Sequence, residues 1–296
     1  MRLFIAVADA GSLSAAARRL GAPLTTVSRK VMALEEQVGV RLLARTTRRL
    51  ALTEPGRRYL EVCRRLLADL DEAERSLVGE HGEPRGDLAV TAPVVFGRLH
   101  LLPVVTEFLR SFRQVDLRLL LLDRTVDLIE EGQDVAVRIG DLPDSSLIAT
   151  RVGTIRRIVC ASPAYLAARG VPGTPEELAQ HDCITFTAVA QAGRWAFPGE
   201  RGERRVAIRS RLVVNGAEAA VDAAVAGLGV TRVLSYQAAD ALAAGTLGVL
   251  LAEFEPPPIP VNLVHREARF PPAKVRSFVT FAATRLRQKL GAAPLV

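Results

Sequence analysis

The chain has 296 residues, of which 49% are hydrophobic and 5% aromatic, and it carries a formal net charge of +7. This length accommodates two or three domains, and the apolar content suffices for aliphatic cores. Cysteine is rare, with three widely spaced residues, which excludes a disulfide framework and indicates reduced thiols in the cytoplasm. The sequence shows no signal peptide and no apolar run of the ~20 residues that cross a bilayer. We therefore expect a cytoplasmic protein that does not associate with membranes.

The start of the chain predicts two helices joined by a tight turn. Ser12 is a suitable N-cap for a helix at 13–20, because its hydroxyl can accept an otherwise unpaired backbone N–H. The apolar residues of this helix recur at the spacing of one face: Leu13, Ala16, Ala17 and Leu20. Gly21 can take the positive φ that ends a helix, and Pro23 favours the start of the next. The second helix, at 24–38, has an apolar stripe of its own: Val27, Val31, Leu34 and Val38.

A helix-turn-helix of this kind places its second helix in the major groove of DNA, where the first turns meet the base edges. Those turns are polar and basic, and the candidate base-reading residues are Thr25, Thr26, Ser28, Arg29 and Lys30. Ser12, at the start of the first helix, is a further candidate DNA contact. A solvated amphipathic hairpin in an unrelated helical domain is the alternative. Charge argues against it, because residues 1–53 hold nine basic and three acidic side chains, a net +6, while the rest of the chain carries only +1.

Residues 41–53 predict a short hairpin with its cations near the turn, which we interpret as a wing beside the second helix. Its arginines are candidates for contact with DNA phosphates or with the adjacent minor groove, where the negative potential favours arginine: Arg45, Arg48 and Arg49. A charged turn that is merely solvated has the same composition, and this alternative stays open for each of the three arginines.

A long helix follows at about 54–81, with Thr53 as its N-cap and Pro55 in its first turn. Apolar residues recur along it at alternating spacings of three and four: Leu60, Cys63, Leu67, Leu70 and Leu77. Such a seam has to be covered, and a second copy of the chain is the simplest partner. A two-fold dimer sets two recognition helices on successive turns of the duplex, which predicts a partly palindromic site. Because Glu74 interrupts the seam, packing against the chain's own winged domain is the alternative.

The segment from Phe4 to Leu60, FIAVADAGSLSAAARRLGAPLTTVSRKVMALEEQVGVRLLARTTRRLALTEPGRRYL, resembles the N-terminal signature of the LysR-type transcriptional regulators. The resemblance implies a winged helix-turn-helix domain at 1–53, a linker and dimerisation helix at 54–81, and an effector-binding regulatory domain at 82–296. It also implies dimers of dimers, homotetramers, on double-stranded DNA, and it leaves contact with RNA polymerase open.

Residues 79–86 are polar and rich in glycine, and we interpret them as a hinge between domains. Beyond them, strand-like runs alternate with helical patterns in a βαβαβ order that predicts a parallel sheet. The first set has strands at 87–91, 117–122 and 135–139 and helices at 102–112 and 125–131. The second set has strands at 157–161, 183–187, 212–215 and 230–234 and helices at 163–169, 217–226 and 235–244. A strand at 261–265 and a helix at 272–290 end the pattern.

Two α/β lobes joined by crossovers resemble the effector-binding domain of the same family, which is similar to periplasmic solute-binding proteins. The expected fold class is therefore α/β, with lobe I at about 87–148 and 266–296 and lobe II at about 149–265. In open α/β sheets, ligands bind beyond the carboxyl ends of the strands, and a crevice between lobes allows a small molecule to close a hinge. We therefore expect a small-molecule effector between the lobes.

The candidate effector contacts lie where strands end: Thr91, Pro93, Arg124, Thr125, Arg138 and Asn215. The resemblance implies effector contacts near Pro93, Thr125, Arg138 and the strand end of the second lobe. Free backbone N–H groups after Pro93 would suit an anionic oxygen, and an arginine can grip a carboxylate, so an organic acid is a candidate effector. Roles as caps or turns are equally open, and Arg124 or Arg138 could instead pair with a nearby acid: Asp123, Asp127 or Asp134.

The sequence shows no catalytic or cofactor-binding pattern. Its four histidines are scattered, and it lacks a Walker loop, a complete dinucleotide fingerprint and a GxSxG elbow. We therefore expect no cofactor, no metal and no enzymatic activity, but a sequence-specific transcriptional regulator whose DNA binding or bending responds to an effector. The alternatives are an architectural DNA-binding protein and a solute-binding α/β protein with a helical extension.

Overall fold

The computed structural model describes residues 1–45, 50–77, 83–142, 147–186, 193–199, 202–267 and 271–292. They form two compact units, Met1–Asp87 and Leu88–Val296. The elements of the N-terminal unit are α1 (Arg2–Ala10), α2 (Leu13–Leu20), α3 (Leu24–Val38), β1 (Leu43–Arg45), β2 (Leu50–Leu52) and α4 (Glu54–Leu77).

The predicted helix-turn-helix is confirmed, and its boundaries have the local causes that the sequence indicated. The Ser12 hydroxyl accepts a hydrogen bond of 3.0 Å from the Ala15 N–H and so caps α2. Gly21 ends α2 with a φ of 60°, and Pro23, with a φ of −58°, stands directly before α3. Gly21, with its positive φ, and Pro23, with its fixed φ, therefore set the sharp turn between the helices.

A single apolar core holds the N-terminal unit together. Its buried residues come from all four helices and from β1: Phe4, Val7, Ala16, Ala17, Val27, Val31, Leu42, Leu43 and Leu60. Leu20 was expected on the inward face of α2, and this expectation is wrong because its side chain is exposed. It is the last residue of α2, where the chain turns away at Gly21, so the core does not extend over it.

Helix α4 begins as part of this unit. Thr53 caps it as predicted, because the Thr53 hydroxyl accepts the Gly56 N–H at 3.0 Å while donating to the Arg41 carbonyl at 2.7 Å. Gly56 lies so close to β1 that a Cβ there would stand 1.9 Å from the Leu42 oxygen. Leu60 and Cys63 are buried within the unit. These two residues of the predicted self-association seam are therefore covered by their own domain, as the alternative allowed, and are unavailable to a second chain.

The C-terminal unit contains two five-stranded sheets. Its strands in chain order are β3 (Gly86–Ala92), β4 (Val115–Leu121), β5 (Val135–Ile139), β6 (Leu147–Ile155), β7 (Arg157–Ala161), β8 (Asp182–Phe186), β9 (Arg194–Gly199), β10 (Gly202–Ala207), β11 (Arg209–Val214), β12 (Val230–Leu234), β13 (Gly248–Leu250) and β14 (Ile259–Arg266). Its helices are α5 (Val94–Phe96), a π-helical turn (Gly97–Leu101), α6 (Leu102–Ser111), α7 (Pro163–Arg169), α8 (Ala217–Val225), α9 (Ala239–Ala243) and α10 (Ala273–Ala292), with short 3₁₀ turns at Pro175–Gln180, Ser235–Gln237 and Ala252–Phe254.

The α/β fold class is confirmed, and the expected parallel pairing is present between β3 and β5 and between β8 and both β11 and β12, but neither sheet is parallel throughout. The first sheet has the order β4-β3-β5-β14-β6, in which β14 runs antiparallel to both β5 and β6. The second has the order β11-β8-β12-β7-β13, in which β7 runs antiparallel to both β12 and β13. The sheets are mixed because β6 carries the chain out of the first lobe and β14 brings it back in the opposite direction.

The predicted helix at 125–131 is absent, and hydrogen-bonded turns replace it. The Asp127 carboxylate accepts the N–H groups of Ile129 and Glu130 at 2.7 and 3.0 Å, which competes with helical hydrogen bonding. The predicted helix at 235–244 is divided into a 3₁₀ turn and the short α9. Strands β6 and β13 and the antiparallel hairpin β9–β10 were not expected.

Strands β6 and β14 both pair within the first sheet, so the first lobe extends through Ile155 and resumes at Ile259. The boundaries expected at 148 and 266 fall within these strands. An ion pair joins the two crossovers: Arg156, directly after β6, donates to both carboxylate oxygens of Glu255 at 2.8 Å. Their side chains are only 19% and 12% exposed, so this bidentate pair is shielded from water and fixes the crossovers to each other.

We expect Glu255→Ala to lower the free energy of unfolding of the C-terminal unit by about 2–3 kcal/mol, because the shielded Arg156 guanidinium loses its carboxylate. Urea unfolding followed by the fluorescence of Trp195, the one tryptophan of the chain, measures this. Glu218→Ala is the matched control, because it removes an exposed carboxylate that pairs with Arg98. Equal stability of the two variants would contradict the prediction.

Candidate functional site

The first turns of α3 present the side chains that the sequence predicted to read DNA. Thr25, Arg29 and Lys30 are exposed, Thr26 and Ser28 are half-buried, and Val27 and Val31 on the other face are buried in the core. In the described part of the chain, neither Arg29 nor Lys30 forms a hydrogen bond or an ion pair. The two cations can therefore meet an external anion without breaking an internal contact.

Two acids of this unit, Asp9 and Glu35, have partners within it. Asp9 on α1 pairs with Arg64 on α4, and also lies 3.9 Å from Arg19. The Glu35 carboxylate on α3 accepts the N–H groups of Leu42 and Leu43 at 2.8 and 2.9 Å, which ties α3 to the first strand of the wing. Sequence reasoning placed Glu35 outside the apolar stripe and missed this contact, because it joins residues that no local pattern relates.

The wing hairpin is present, since β1 and β2 pair antiparallel with Arg45 opposite Leu50. Arg48 and Arg49 lie outside the described residues, as does the side chain of Arg45. Ser12 is half-buried, and its hydroxyl is engaged as the cap of α2. The structure thus gives Ser12 a structural contact and leaves its predicted contact with DNA untested.

Helix α4 has an apolar face that the N-terminal unit does not cover. Val62, Leu66 and Leu70 follow one another at a spacing of four, and Leu66 and Leu70 are 47% and 48% exposed. Leu67 is half-buried, and the side chain of Leu77 lies outside the described residues. The predicted seam is therefore displaced around the helix, from Leu60 and Cys63 toward this exposed face.

A cavity of about 120 Å³ lies at the carboxyl ends of β3, β4 and β5. Its walls include most of the predicted effector contacts: Thr91, Pro93, Arg124, Thr125 and Arg138. Asn215 is exposed after β11 in the second lobe and is not among the lining residues. The volume corresponds to about four water molecules, which suits a ligand of few heavy atoms.

The polar groups of this pocket are mostly paired within the chain. Arg124 binds Glu131 with two hydrogen bonds of 2.5 and 2.7 Å, which raises the pKa of Arg124 and lowers that of Glu131. The expected partners of Arg124 were the nearby aspartates, and its partner is Glu131 instead. The Val94 N–H, predicted to be free for an anion, donates to the Asp123 carboxylate at 3.0 Å.

Arg138 is the half-buried cation of the pocket, and it donates to the Val126 carbonyl. It forms no ion pair with the three expected aspartates among the described residues, although its charge, after two backbone hydrogen bonds, helps to lower the pKa of Asp127. Thr91 is a buried residue of the pocket wall, and its hydroxyl makes no hydrogen bond with another described residue. Arg138 and Thr91 are therefore the groups best placed to bind an acceptor oxygen of a ligand.

The pocket lies beside the contact between the two lobes of this unit. Arg98 of the π-helical turn forms an ion pair with Glu218 of α8 in the second lobe. The Phe96 ring meets the edge of Tyr236 of the second lobe, with ring centroids 5.6 Å apart. Burial, and secondarily the Asp123 carboxylate, raises the pKa of the Tyr236 hydroxyl. An occupant of the pocket is thus close to groups that respond to the position of the second lobe.

Enzymatic chemistry has no visible basis in the described residues. They contain no group of three or more His, Cys, Asp or Glu side chains arranged to hold a metal ion. Burial raises the pKa of the Cys160 and Cys183 thiols to about 12, so neither is a ready nucleophile. Among the helices that the structure describes, none has both the length and the apolar character of a membrane span.

Two domain families, one for each part of the chain, together match most of its length. The family described as bacterial regulatory helix-turn-helix protein, lysR family, matches residues 1–57, and the LysR substrate binding domain matches residues 81–287. A transcriptional regulator of Xanthomonas campestris pv. campestris is 36% identical over 96% of this chain and 84% of its own length. The regulator PtxR of Pseudomonas aeruginosa is 35% identical over 98% of this chain and 92% of its own.

Among solved structures, the LysR-type transcriptional regulator CrgA of Neisseria meningitidis is similar in fold along the full length. The TM-score is 0.62 at 33% identity, with 96% of this chain and 97% of that chain covered. These relatives are transcriptional regulators and not enzymes. The N-terminal helix-turn-helix, the long helix and the two-lobed α/β unit show that the chain belongs to the LysR family of bacterial transcriptional regulators.

Proposed function

We propose that the chain acts in the cytoplasm and binds a partly palindromic DNA site as a dimer. Its affinity for that site, or the bend it imposes on the DNA, changes when a small acid binds the pocket at Thr91 and Arg138. The observation that carries the DNA-binding half is the exposed, unpaired state of Arg29 and Lys30 within the described residues, while Glu35 of the same helix and the nearby Asp9 have other partners. The family binds DNA and effectors and forms oligomers, and the residue roles are our assignment.

Helix α3 enters the major groove in this proposal. Arg29 and Lys30 reach base edges or phosphates, and Thr25, Thr26 and Ser28 complete the contact along the first turns. Arg45, Arg48 and Arg49 of the wing bind phosphates and set the register on the duplex. The Glu35 hydrogen bonds to the wing support this geometry, because they hold β1 against α3.

The exposed face of α4 serves as the dimer contact. Val62, Leu66 and Leu70 form a continuous apolar strip, which a second copy of the same helix would remove from water. Two N-terminal units related by a two-fold axis then address two half-sites one helical turn apart. We extend this assembly to a dimer of dimers and to contact with RNA polymerase, as the family resemblance implies.

The effector changes the angle between the two lobes, and α4 transmits this change to the spacing of the recognition helices on bent DNA. A carboxylate bound at Arg138 and Thr91 would lie beside Asp123, which is close to Tyr236 of the second lobe. The effector can shift the equilibrium only by its difference in affinity between the two lobe positions, typically about 1–3 kcal/mol of coupling.

We expect Arg29→Ala to reduce discrimination between the operator and sequences altered at one base pair by roughly tenfold to a hundredfold, because a base-reading contact is lost. Arg48→Ala should weaken binding to all sequences alike and lower the slope of affinity against salt concentration. Fluorescence anisotropy with promoter duplexes at several salt concentrations measures both. An unchanged operator preference in Arg29→Ala would show that Arg29 does not read bases.

Footprinting on the same promoter separates a regulator from an architectural protein. A protected region of about two half-sites agrees with the proposal, whereas uniform protection of any DNA contradicts it.

We expect the double substitution Leu66→Gln and Leu70→Gln to raise the dimer dissociation constant by at least tenfold, because each leucine loses its burial in both subunits. Sedimentation equilibrium measures the dissociation constant. Glu61→Gln is the control, since Glu61 is exposed on another side of the same helix. If the double variant dimerises as tightly as Glu61→Gln, the exposed face of α4 is not the dimer contact.

A thermal-shift screen of small organic acids against the full chain tests the effector half, because a ligand that binds the native state raises its midpoint. We expect Arg138→Gln to abolish the rise that an active acid produces and the exposed control Arg118→Gln to retain it. A screen in which no acid raises the midpoint, or a rise that survives in Arg138→Gln, would remove the carboxylate assignment.

A further inference from the structure

Two arginines share the outer face of the second sheet, away from the pocket described above. Arg157 begins β7 and Arg232 lies on β12, which is its antiparallel neighbour. Arg232 stands opposite Val159, and Arg157 stands opposite Leu234, so the two arginines are diagonal neighbours on one face. Their long side chains can therefore reach a common ligand.

The surroundings of this pair are apolar. Arg232 is only 6% exposed, and its guanidinium carbon lies 4.7 Å from the centroid of the Phe197 ring on the hairpin β9–β10. Arg157 is half-buried. The same face carries the second hydrophobic cluster of the unit, which includes Val159 and Trp195. Water is thus largely excluded around Arg232, while Arg157 keeps contact with solvent.

Neither arginine has an anionic partner among the described residues. No hydrogen bond or ion pair joins Arg157 or Arg232 to another residue there, and the buried Nε of Arg232 has no acceptor. The carboxylate that acts on Arg232 from nearby belongs to Glu203, which is hydrogen-bonded to Arg205 at 3.0 Å. Stacking on Phe197 stabilises one face of the Arg232 guanidinium but gives its buried Nε–H no acceptor.

This arrangement is costly for a group that stays charged at neutral pH. Burial, and secondarily the adjacent Arg157, lowers the pKa of Arg232 to about 10, and burial also lowers the pKa of Arg157. Other shielded cations of the unit meet carboxylates: Arg156 pairs with Glu255, and Lys274 lies 3.9 Å from Asp134. The pair at 157 and 232 differs because, among the described residues, no carboxylate forms an ion pair with either arginine.

We propose that Arg157 and Arg232 bind a small oxyanion, a carboxylate or a phosphate, at a second ligand site on the outer face of the second lobe. The anion reaches the site beside the solvent-accessible Arg157 and accepts hydrogen bonds from both guanidinium groups. Arg157 directly follows Arg156, whose ion pair with Glu255 joins the crossovers, so an anion held there lies beside the connection between the lobes.

Thermal unfolding of the full chain, followed by Trp195 fluorescence, tests the proposal in chloride, phosphate and acetate buffers of equal ionic strength. Relative to chloride, we expect the midpoint to rise by about 2–4 °C when the anion is near four times its dissociation constant. A rise with phosphate, with acetate or with both supports the site and identifies the oxyanion it accepts. A midpoint that is the same in all three salts overturns it.

Single substitutions test whether the anion-dependent rise in the midpoint arises at Arg157 and Arg232. Arg157→Gln and Arg232→Met should each abolish the anion-dependent rise in the midpoint. Arg194→Gln is the charge-matched control, because Arg194 is exposed on the hairpin β9–β10 that carries Phe197, and it should retain the rise. Arg138→Gln should also retain it, which separates this site from the effector pocket. Arg157→Gln alone decides the question if Arg232→Met does not fold, because Arg157 is only half-buried. A rise that persists in Arg157→Gln shows that the anion binds elsewhere and overturns the proposal.

Discussion

In both units, the positions of the carboxylates decide which basic side chains are paired within the chain and which can meet an external anion. In the N-terminal unit, Asp9 holds Arg64 and Glu35 holds the backbone of the wing, so neither acid neutralises Arg29 or Lys30. The positive field of this segment therefore remains on the outer surface of α3, where a polyanion can meet it. In the C-terminal unit, Glu131 pairs with Arg124 at the wall of the pocket, whereas Arg138 donates there to the backbone carbonyl of Val126.

The two lobes of the C-terminal unit are joined by apolar packing and, among the described residues, by a small number of ion pairs. One hydrophobic cluster includes buried residues of both sheets, among them Val90 of the first and Ile184 of the second. The polar links are the shielded pair Arg156–Glu255 at the crossovers and the exposed pair Arg98–Glu218. The exposed pair is weak in water, so the shared apolar cluster and the shielded pair contribute most to holding the lobes together.

Local signals in the sequence were sufficient for much of the fold. Ser12, Gly21 and Thr53 each act through neighbouring backbone groups, and all three do what their residue types favour. Three strands, β5, β7 and β12, have the bounds that their apolar runs predicted. Contacts between distant residues were not predictable. Periodicity placed Leu60 and Cys63 in an apolar seam, but it did not decide between a second chain and their own domain as the cover, nor did it reveal that β6 and β14 would join one sheet.

The packing of α4 couples the orientation of this helix to that of α3. Because Leu60 belongs to the same core as Val27 of α3, and Gly56 abuts the Leu42 carbonyl, the first turns of α4 move with the recognition helix. The Arg64–Asp9 pair adds a contact two turns further along the helix. A change in the angle of α4 therefore cannot be absorbed at its junction with the winged domain, since a core packed to high density transmits displacement. It changes the direction of α3, and in the dimer that we propose through α4 it would change the separation of the two α3 helices.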